Sequence, residues 1–434
     1  MSGARWDRDP VAVVLLVVPV AIVLVTGFLT PYAVIDGYHQ DVDLYRRTAA
    51  AVLAGSPPYR GFPFEYPPLA AVVMAIPGIG GAGDLDAYAR RWSVVAAVGV
   101  AIAGVILGWL ASRLDGRPVR RVLLGWAALV ALLAPVLTWR FDIVAVDLAL
   151  AGTALTIARR PLAGGLALGA GALVKIFPAV FAPTLAGWLW WRGDRRSAAM
   201  IVVASGATVL LGLAVTAVIA GAGPSASFVD YQADRLVQLE SLAASLVLVG
   251  HLLLGTTVTV IHGFGSLQIV GGGTDAILAV ASVALVVAVG LAVLAGWWRF
   301  RLDRLAGRPT DPGVLLRACL VVGLATILAD KVLSAQYVLW ALPFALLGST
   351  RSVALALAAA ALTVAIFPLA YTELVNLEPW AIVLLASRNI VLIVLLVDAL
   401  VGLLGRQRAD RPAATGPSVV GPSPADSDRT SYTV

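Results

Sequence analysis

Three carboxylates, Asp41, Asp43 and Glu65, share one polar stretch, Tyr38–Pro68, of an otherwise strongly apolar chain. The same stretch holds Tyr38, Tyr45, Tyr59 and Tyr66, with Tyr32 just upstream, and is broken by Pro57, Pro58, Pro63, Pro67 and Pro68. A carboxylate held near a substrate hydroxyl can take its proton. Two carboxylates one residue apart could instead begin a cation site, although no third ligand follows them, or could be ordinary solvated loop charges. A long loop of this composition beside apolar segments is a candidate active site rather than a connector.

A second set of residues is cationic and placed where charge is costly. Lys175 lies between two apolar segments, and Arg388 lies about seven residues inside the last apolar run, between Ser387 and Asn389. An ionised group at such depth must face protein or water, unless, as Lys175 could, it snorkels to the interface. Arg388 lies too deep for that and is a candidate partner for a phosphate or a carboxylate. Asp147, also within an apolar run, could pair with such a cation. His251 and His262 are isolated, and the tryptophans mark segment ends as an interfacial belt would.

The elements that must position these residues are membrane helices. Of 434 residues, 60% are hydrophobic and 13% charged, against about 25% charged in soluble domains. Apolar runs recur at the length that crosses a bilayer core, and the alternation of a membrane barrel is absent. The net charge of +6 reads as a positive-inside bias rather than as affinity for an acidic partner. A lone cysteine, Cys319, excludes an internal disulfide.

In order, the sequence predicts an uncleaved first span near Val11–Leu29 with the N-terminus inside, then an external region over 31–92. That region holds an amphipathic helix over Asp41–Leu53, with Leu44, Ala51 and Val52 toward the membrane. It also holds a re-entrant or interfacial piece at Leu69–Ile76, too short to span. Spans follow at Trp92–Leu110, Val122–Leu137, Ile143–Ala158, Leu162–Val174, Phe177–Trp191 and Met200–Ile219. A second external region occupies 221–275. Spans at Ile277–Trp297, Val314–Leu328, Tyr337–Leu347, Val353–Leu369 and Ala381–Leu404 complete about twelve. The result is an all-α polytopic membrane domain over 1–405 with both ends cytoplasmic, and a disordered tail over 406–434. The inner segments collect more than twice as many Lys and Arg as the outer ones, which supports this orientation. The unusual polar residues, Arg140, Asp142, Asp330 and Glu373 among them, fall at the external face.

Several of these residues sit in recognisable runs. Asp41-Val-Asp-Leu-Tyr45, Gly55-x-x-x-Tyr59 and Phe64-Glu-Tyr-Pro-Pro68 resemble the first-loop signature of glycosyltransferase family 87. Ala172-Leu-Val-Lys175-Ile-Phe-Pro178 resembles that family's lysine–proline motif. Arg235-x-x-Gln238-x-Glu240-Ser241, Lys331-Val-Leu-Ser334-Ala-Gln336-Tyr337-x-x-Trp340-x-x-Pro343 and Ser387-Arg388-Asn389 are similar to its later motifs. The set spans residues 38 to 389.

The resemblance implies a GT-C fold and a polyprenyl-phosphate-linked sugar donor. Family members include actinobacterial mannosyltransferases and cell-wall arabinofuranosyltransferases. The family's catalytic aspartate best matches Asp41, with Asp43 as the alternate. Lys175, Arg388 and Lys331 are then candidates for the donor phosphate. Tyr45, Tyr59, Glu65, Tyr66, Arg235, Gln238, Glu240, Ser334 and Gln336 are candidates for substrate contacts. The expected reaction passes the sugar, mannose before arabinose, to a lipid or glycan acceptor outside the cytoplasm, with inversion. No cofactor, metal or nucleic acid is expected. The rivals are a transporter or lipid flippase, which would place ionisable groups at midplane within repeats, and a non-catalytic scaffold.

Overall fold

The structure, a computed structural model, describes residues 9–29, 39–116, 118–223, 225 and 227–405. Arg5, Arg8, Tyr32, Tyr38 and the 406–434 tail lie outside the described residues.

The chain opens with α1 (Pro10–Leu29), α2 (His39–Leu53) and α3 (Pro68–Ala75), the last extended by a 3₁₀ turn to Gly78. Proline at the first position starts α1 and α3, where a missing N–H costs nothing. Next come α4 (Leu85–Ala111), α5 (Val119–Leu137), α6 (Asp142–Ile157), α7 (Pro161–Val174), a 3₁₀ turn over Phe177–Phe181, α8 (Ala182–Trp191) and α9 (Arg195–Ala220). Asp84 and Asp194 cap α4 and α9 by accepting from backbone N–H groups of the first turn. A mixed segment follows: α10 (Ser227–Asp234), β1 (Val237–Gln238), α11 (Leu242–Leu254), β2 (Val258–Gly263) and β3 (Ser266–Gly271). The bundle is completed by α12 (Thr274–Leu305), α13 (Pro312–Ala329), a 3₁₀ turn over Ala335–Trp340, α14 (Leu342–Leu346), α15 (Thr350–Val364, continued by a π turn to Leu369), α16 (Tyr371–Val375) and α17 (Pro379–Leu404).

Among the described residues, eight helices are long and apolar enough to cross a membrane: α1, α4, α5, α9, α12, α13, α15 with its π turn, and α17. The other four expected spans are shorter elements. Helices α6, α7 and α8 have 16, 14 and 10 residues, and Tyr337–Leu347 is a 3₁₀ turn followed by the five residues of α14. At 1.5 Å per residue, 16 residues reach only about 24 Å, short of a hydrocarbon core of about 30 Å. Arg140, just before α6, and Lys175, just after α7, line the floor of a cavity.

Helix α7 is set deep by its glycines. A Cβ at Gly165 would lie 2.6 Å from Ile201 O, and one at Gly169 would lie 2.6 Å from Ser205 O. Only glycine permits that approach of α7 to α9, a small-xxx-small contact typical of membrane helices.

Helix α2 has a buried apolar face that the amphipathic reading did not include. Val42, Tyr45 and Ala49 are buried against the bundle, while Leu44, Ala51 and Val52 are partly covered. The Gly-rich part of 221–275 is also not helical. There β1, β3 and β2 form a three-stranded antiparallel sheet in that order. The β2–β3 hairpin pairs Gly263 with Ser266, and the intervening Phe264 and Gly265 both have positive φ, 50° and 64°. That is the type I′ geometry of two-residue hairpins.

The two ends of the bundle differ chemically. At one end arginines tie loops and helix termini together: Arg192 donates to Thr310 O, Arg304 to Trp191 O, Arg299 to Gly405 O and Arg317 to Gly402 O. Cations suit such carbonyl-rich helix ends. The opposite end carries the mixed acids, bases and aromatics.

Candidate active site

A cavity of about 1100 Å³ opens at that second end. Its polar part gathers residues from six separate stretches: Asp41; Glu65 and Tyr66; Arg140; Lys175; Arg235, Gln238 and Glu240; and Lys331, Ser334 and Gln336. Ten of the fourteen sequence-predicted site residues line it.

Asp41, in the first turn of α2, is ion-paired with Arg140. Arg140 lies in the short link between α5 and α6 and is buried. Two residues on, Asp142 begins α6, and Lys175 caps the C-terminus of α7. Lys175 Nζ donates to Asp142 Oδ1 at 2.8 Å, and Trp340 Nε1 donates to the same oxygen at 2.8 Å. A carboxylate at a helix start and an ammonium at a helix end each meet a favourable dipole. The Lys175 ammonium also lies 4.9, 4.7 and 5.4 Å from the ring centroids of Phe141, Tyr337 and Trp340, a desolvated cation–π setting.

Across the cavity, Arg235 donates to Ser266 Oγ at 2.9 Å, and its buried Nε finds no hydrogen-bond partner. Lys331 Nζ donates to Ala233 O at 2.7 Å. Removal from water lowers the affinity of the Lys331 amine for its proton, and the neighbouring Asp330 opposes this. Gln238 locks this wall: its backbone N–H donates to Lys331 O at 3.0 Å and its side-chain carbonyl accepts from Leu333 N at 2.9 Å. Glu240 is buried, and burial pushes its carboxyl up to about 7; Arg388, Gln238 and Arg140 pull it back without overcoming that cost.

Four predicted residues are not in the cavity wall. Asp43 makes ion pairs with Arg46 at 2.8 Å and Arg47 at 3.1 Å. Two residues apart on a helix is about 200° of rotation, so Asp41 and Asp43 cannot face the same cavity. Arg388 is fully buried behind the wall, where it donates to Glu240 O, with Nη1 4.0 Å from Glu240 Oε2. Its Nε and Nη1 have no hydrogen-bond partner. Asp147 does not pair with Arg388, and its Oδ1 has no hydrogen-bond partner. Tyr45 is packed between Trp92 and Phe141, at centroid distances of 4.9 and 5.6 Å. Tyr59 donates its hydroxyl to Tyr66 O at 2.6 Å and fixes the loop.

Sequence reasoning gave no role to Arg140, Asp142, Trp340, Tyr231 or Phe264, all in or beside this cavity. Arg140 and Asp142 carried a signal, as charges in a short turn between apolar runs.

Beyond the polar part the cavity continues as an apolar trough along α12, from Ala281 to Leu294, opposite Ile176, Val180 and Pro183. That is about 20 Å of helix. Trp297 closes its foot, donating Nε1 to Pro183 O at 2.9 Å; a Cβ on Gly187 would meet that indole at 2.1 Å.

The crystal structure of the apo Archaeoglobus fulgidus oligosaccharyltransferase is similar to this chain at 11% identity and a TM-score of 0.46, over 92% of this chain. The chain spans 57% of the length of that protein. No curated protein matches the sequence. The profile described as glycosyltransferase family 87 matches residues 64–330, more than half of the chain and most of the cavity-lining motifs. The chain belongs to glycosyltransferase family 87.

Proposed function

We propose that this membrane glycosyltransferase moves mannose from a polyprenyl-phosphate donor to a lipid or glycan acceptor on the extracytoplasmic face of the plasma membrane. The observation that carries this reading is one shared space. Asp41, Lys175, Arg235 and Lys331 line a single cavity that runs on into an apolar trough. The polar part suits a sugar phosphate, and the trough suits its hydrocarbon chain. The arginine-rich opposite end fits a cytoplasmic side and cytoplasmic termini.

The acceptor hydroxyl gives its proton to the Asp41 carboxylate, and its oxygen attacks the anomeric carbon. The bond from that carbon to the phosphate oxygen breaks, and polyprenyl phosphate leaves with the electron pair. Lys175 and Lys331, which line the cavity, are assigned to stabilise the leaving phosphate. Arg235, which lines the cavity, is assigned the phosphate role in place of Arg388, which does not line it. A single displacement inverts the anomeric centre. These cations supply the charge that a metal would otherwise provide, so turnover survives EDTA.

Incubation of the purified protein in nanodiscs with labelled polyprenyl-phosphate mannose and candidate acceptor lipids tests the reading. Labelled acceptor supports it. Movement of the donor across the bilayer without transfer would instead indicate a flippase. Transfer from the arabinofuranosyl donor alone would correct the sugar.

A further inference from the structure

The tip of the β2–β3 hairpin lines the same cavity through His262, Phe264, Gly265 and Ser266. Phe264 holds a φ of +50°, a region that bulky side chains rarely occupy. A glycine there would form the type I′ turn without strain. Strain retained at a cavity edge calls for a compensating role of the side chain.

The surroundings of Phe264 define that role. Its ring packs edge-on against Tyr231 at a centroid distance of 5.3 Å. Beside it, a Cβ built at Gly265 would lie 3.6 Å from Glu65 Oε2 and 3.7 Å from Tyr231 Oη, so the hairpin backbone runs close to that carboxylate. Burial, then the charge of Glu65 and a hydrogen bond to it, push the Tyr231 phenol well above its ordinary value. Arg235 fixes the hairpin to the cavity wall through Ser266, and Gln268 braces it by donating to Gly263 O and accepting from Leu236 N.

Glu65 and Tyr231 offer acceptor and donor capacity, and Phe264 offers an apolar ring face. An anion would meet the Glu65 charge, and a wholly apolar ligand would cover the half-buried Glu65 and Tyr231 while offering no hydrogen bond in place of the water it displaced. A neutral ring bearing hydroxyls on its rim and C–H groups on its face satisfies both parts.

We propose that Phe264, Tyr231 and Glu65 form a subsite for a neutral carbohydrate or cyclitol ring of the acceptor, with Phe264 as its stacking platform. The inference rests on the glycosyl-transfer reading for the word acceptor, and on the cavity geometry alone for the ring.

The test uses octyl mannoside as probe, with binding to full-length protein in nanodiscs measured by titration. Phe264→Gly relieves the strained turn, so its melting temperature should equal or exceed that of the wild type. Its dissociation constant should nevertheless rise about five- to tenfold, and Phe264→Tyr should retain wild-type binding. The Michaelis constant for polyprenyl-phosphate mannose should stay within about twofold. Equal dissociation constants for wild type and Phe264→Gly would overturn the subsite, as would no binding of octyl mannoside to the wild type. A wild type that binds the probe but transfers no sugar would refute the proposed reaction and leave the ring subsite standing.

Discussion

The Asp142 carboxylate and the Lys175 ammonium, 33 residues apart, meet at 2.8 Å under the indole of Trp340. Trp340 is itself stacked on Phe177 and Tyr337, at centroid distances of 4.4 and 3.9 Å. The pair joins the start of α6 to the end of α7 and so fixes the floor of the cavity.

Breaking this pair from one side should be worse than removing it. Asp142→Asn leaves a desolvated ammonium against aromatic rings, and one-sided loss of a buried pair costs about 3–5 kcal/mol. The double variant Asp142→Leu, Lys175→Met should recover most of that stability and remain inactive. Denaturation of the purified single and double variants measures the coupling. Additive losses would show that the two groups are independent.

Arg235 and Arg388 should separate cleanly. Arg235→Gln removes a cation facing the cavity, and should raise the Michaelis constant of the donor about tenfold or more, with a loss of about 1–2 kcal/mol of stability from its bond to Ser266. Arg388→Gln removes the buried partner of Glu240 and should act first on stability, by about 3–5 kcal/mol. Donor titrations and thermal melts on both variants check this. The opposite assignment of effects would return Arg388 to the ligand.

The raised Glu240 carboxyl predicts a pH dependence of stability with a definite sign. Its ordinary value is 4.5 and its value in the folded protein is about 7. The folded state therefore holds this proton more tightly than the unfolded state. The contribution is complete below about 4.5 and is lost as pH rises through about 7, on the order of 3 kcal/mol in all. Melting temperatures of wild type should fall over that window, and those of Glu240→Gln should fall distinctly less. Parallel curves would mean that Glu240 ionises normally.

Helix α7 supplies a packing prediction. Gly169→Val would drive a branched side chain against Ser205 O and Thr208, and no rotamer of valine avoids a backbone carbonyl 2.6 Å from its Cβ. Lys175, six residues on, would be displaced with the helix. Folded yield and melting temperature should both drop, whereas Gly206→Ala on α9, whose Cβ would meet nothing, should be neutral.

Much of this arrangement could be read from residue types and order. Apolar run length placed all eight long helices, and ten predicted site residues of the motifs between Asp41 and Gln336 line one cavity, without Asp43, Tyr45 and Tyr59. Run length does not settle whether the short helices are spans, because an apolar run of 14 residues reads alike whether it ends in lipid or under a cavity. The buried face of α2 was not legible, because its exposed charges could be read and its neighbours Trp92 and Phe141 could not. Helical geometry alone, applied to Asp41–Leu53, would have excluded Asp43 as a partner of Asp41 in one site. Arg388 illustrates the limit: a buried cation announces a partner, but only the fold shows that the partner is Glu240. The hairpin escaped notice because Phe264-Gly265 lacks the Asn-Gly or Asp-Gly signature of its turn.

The central claim is that one carboxylate, Asp41, activates the acceptor within reach of the cations around the cavity. The direct measurement is the initial rate of transfer from polyprenyl-phosphate mannose by wild type, Asp41→Asn and Asp43→Asn, all confirmed as folded. Asp41→Asn should lose about 10²- to 10⁴-fold, and Asp43→Asn, whose partners are Arg46 and Arg47, should stay within a few fold of wild type. Transfer retained by Asp41→Asn and abolished in Asp43→Asn would contradict the account.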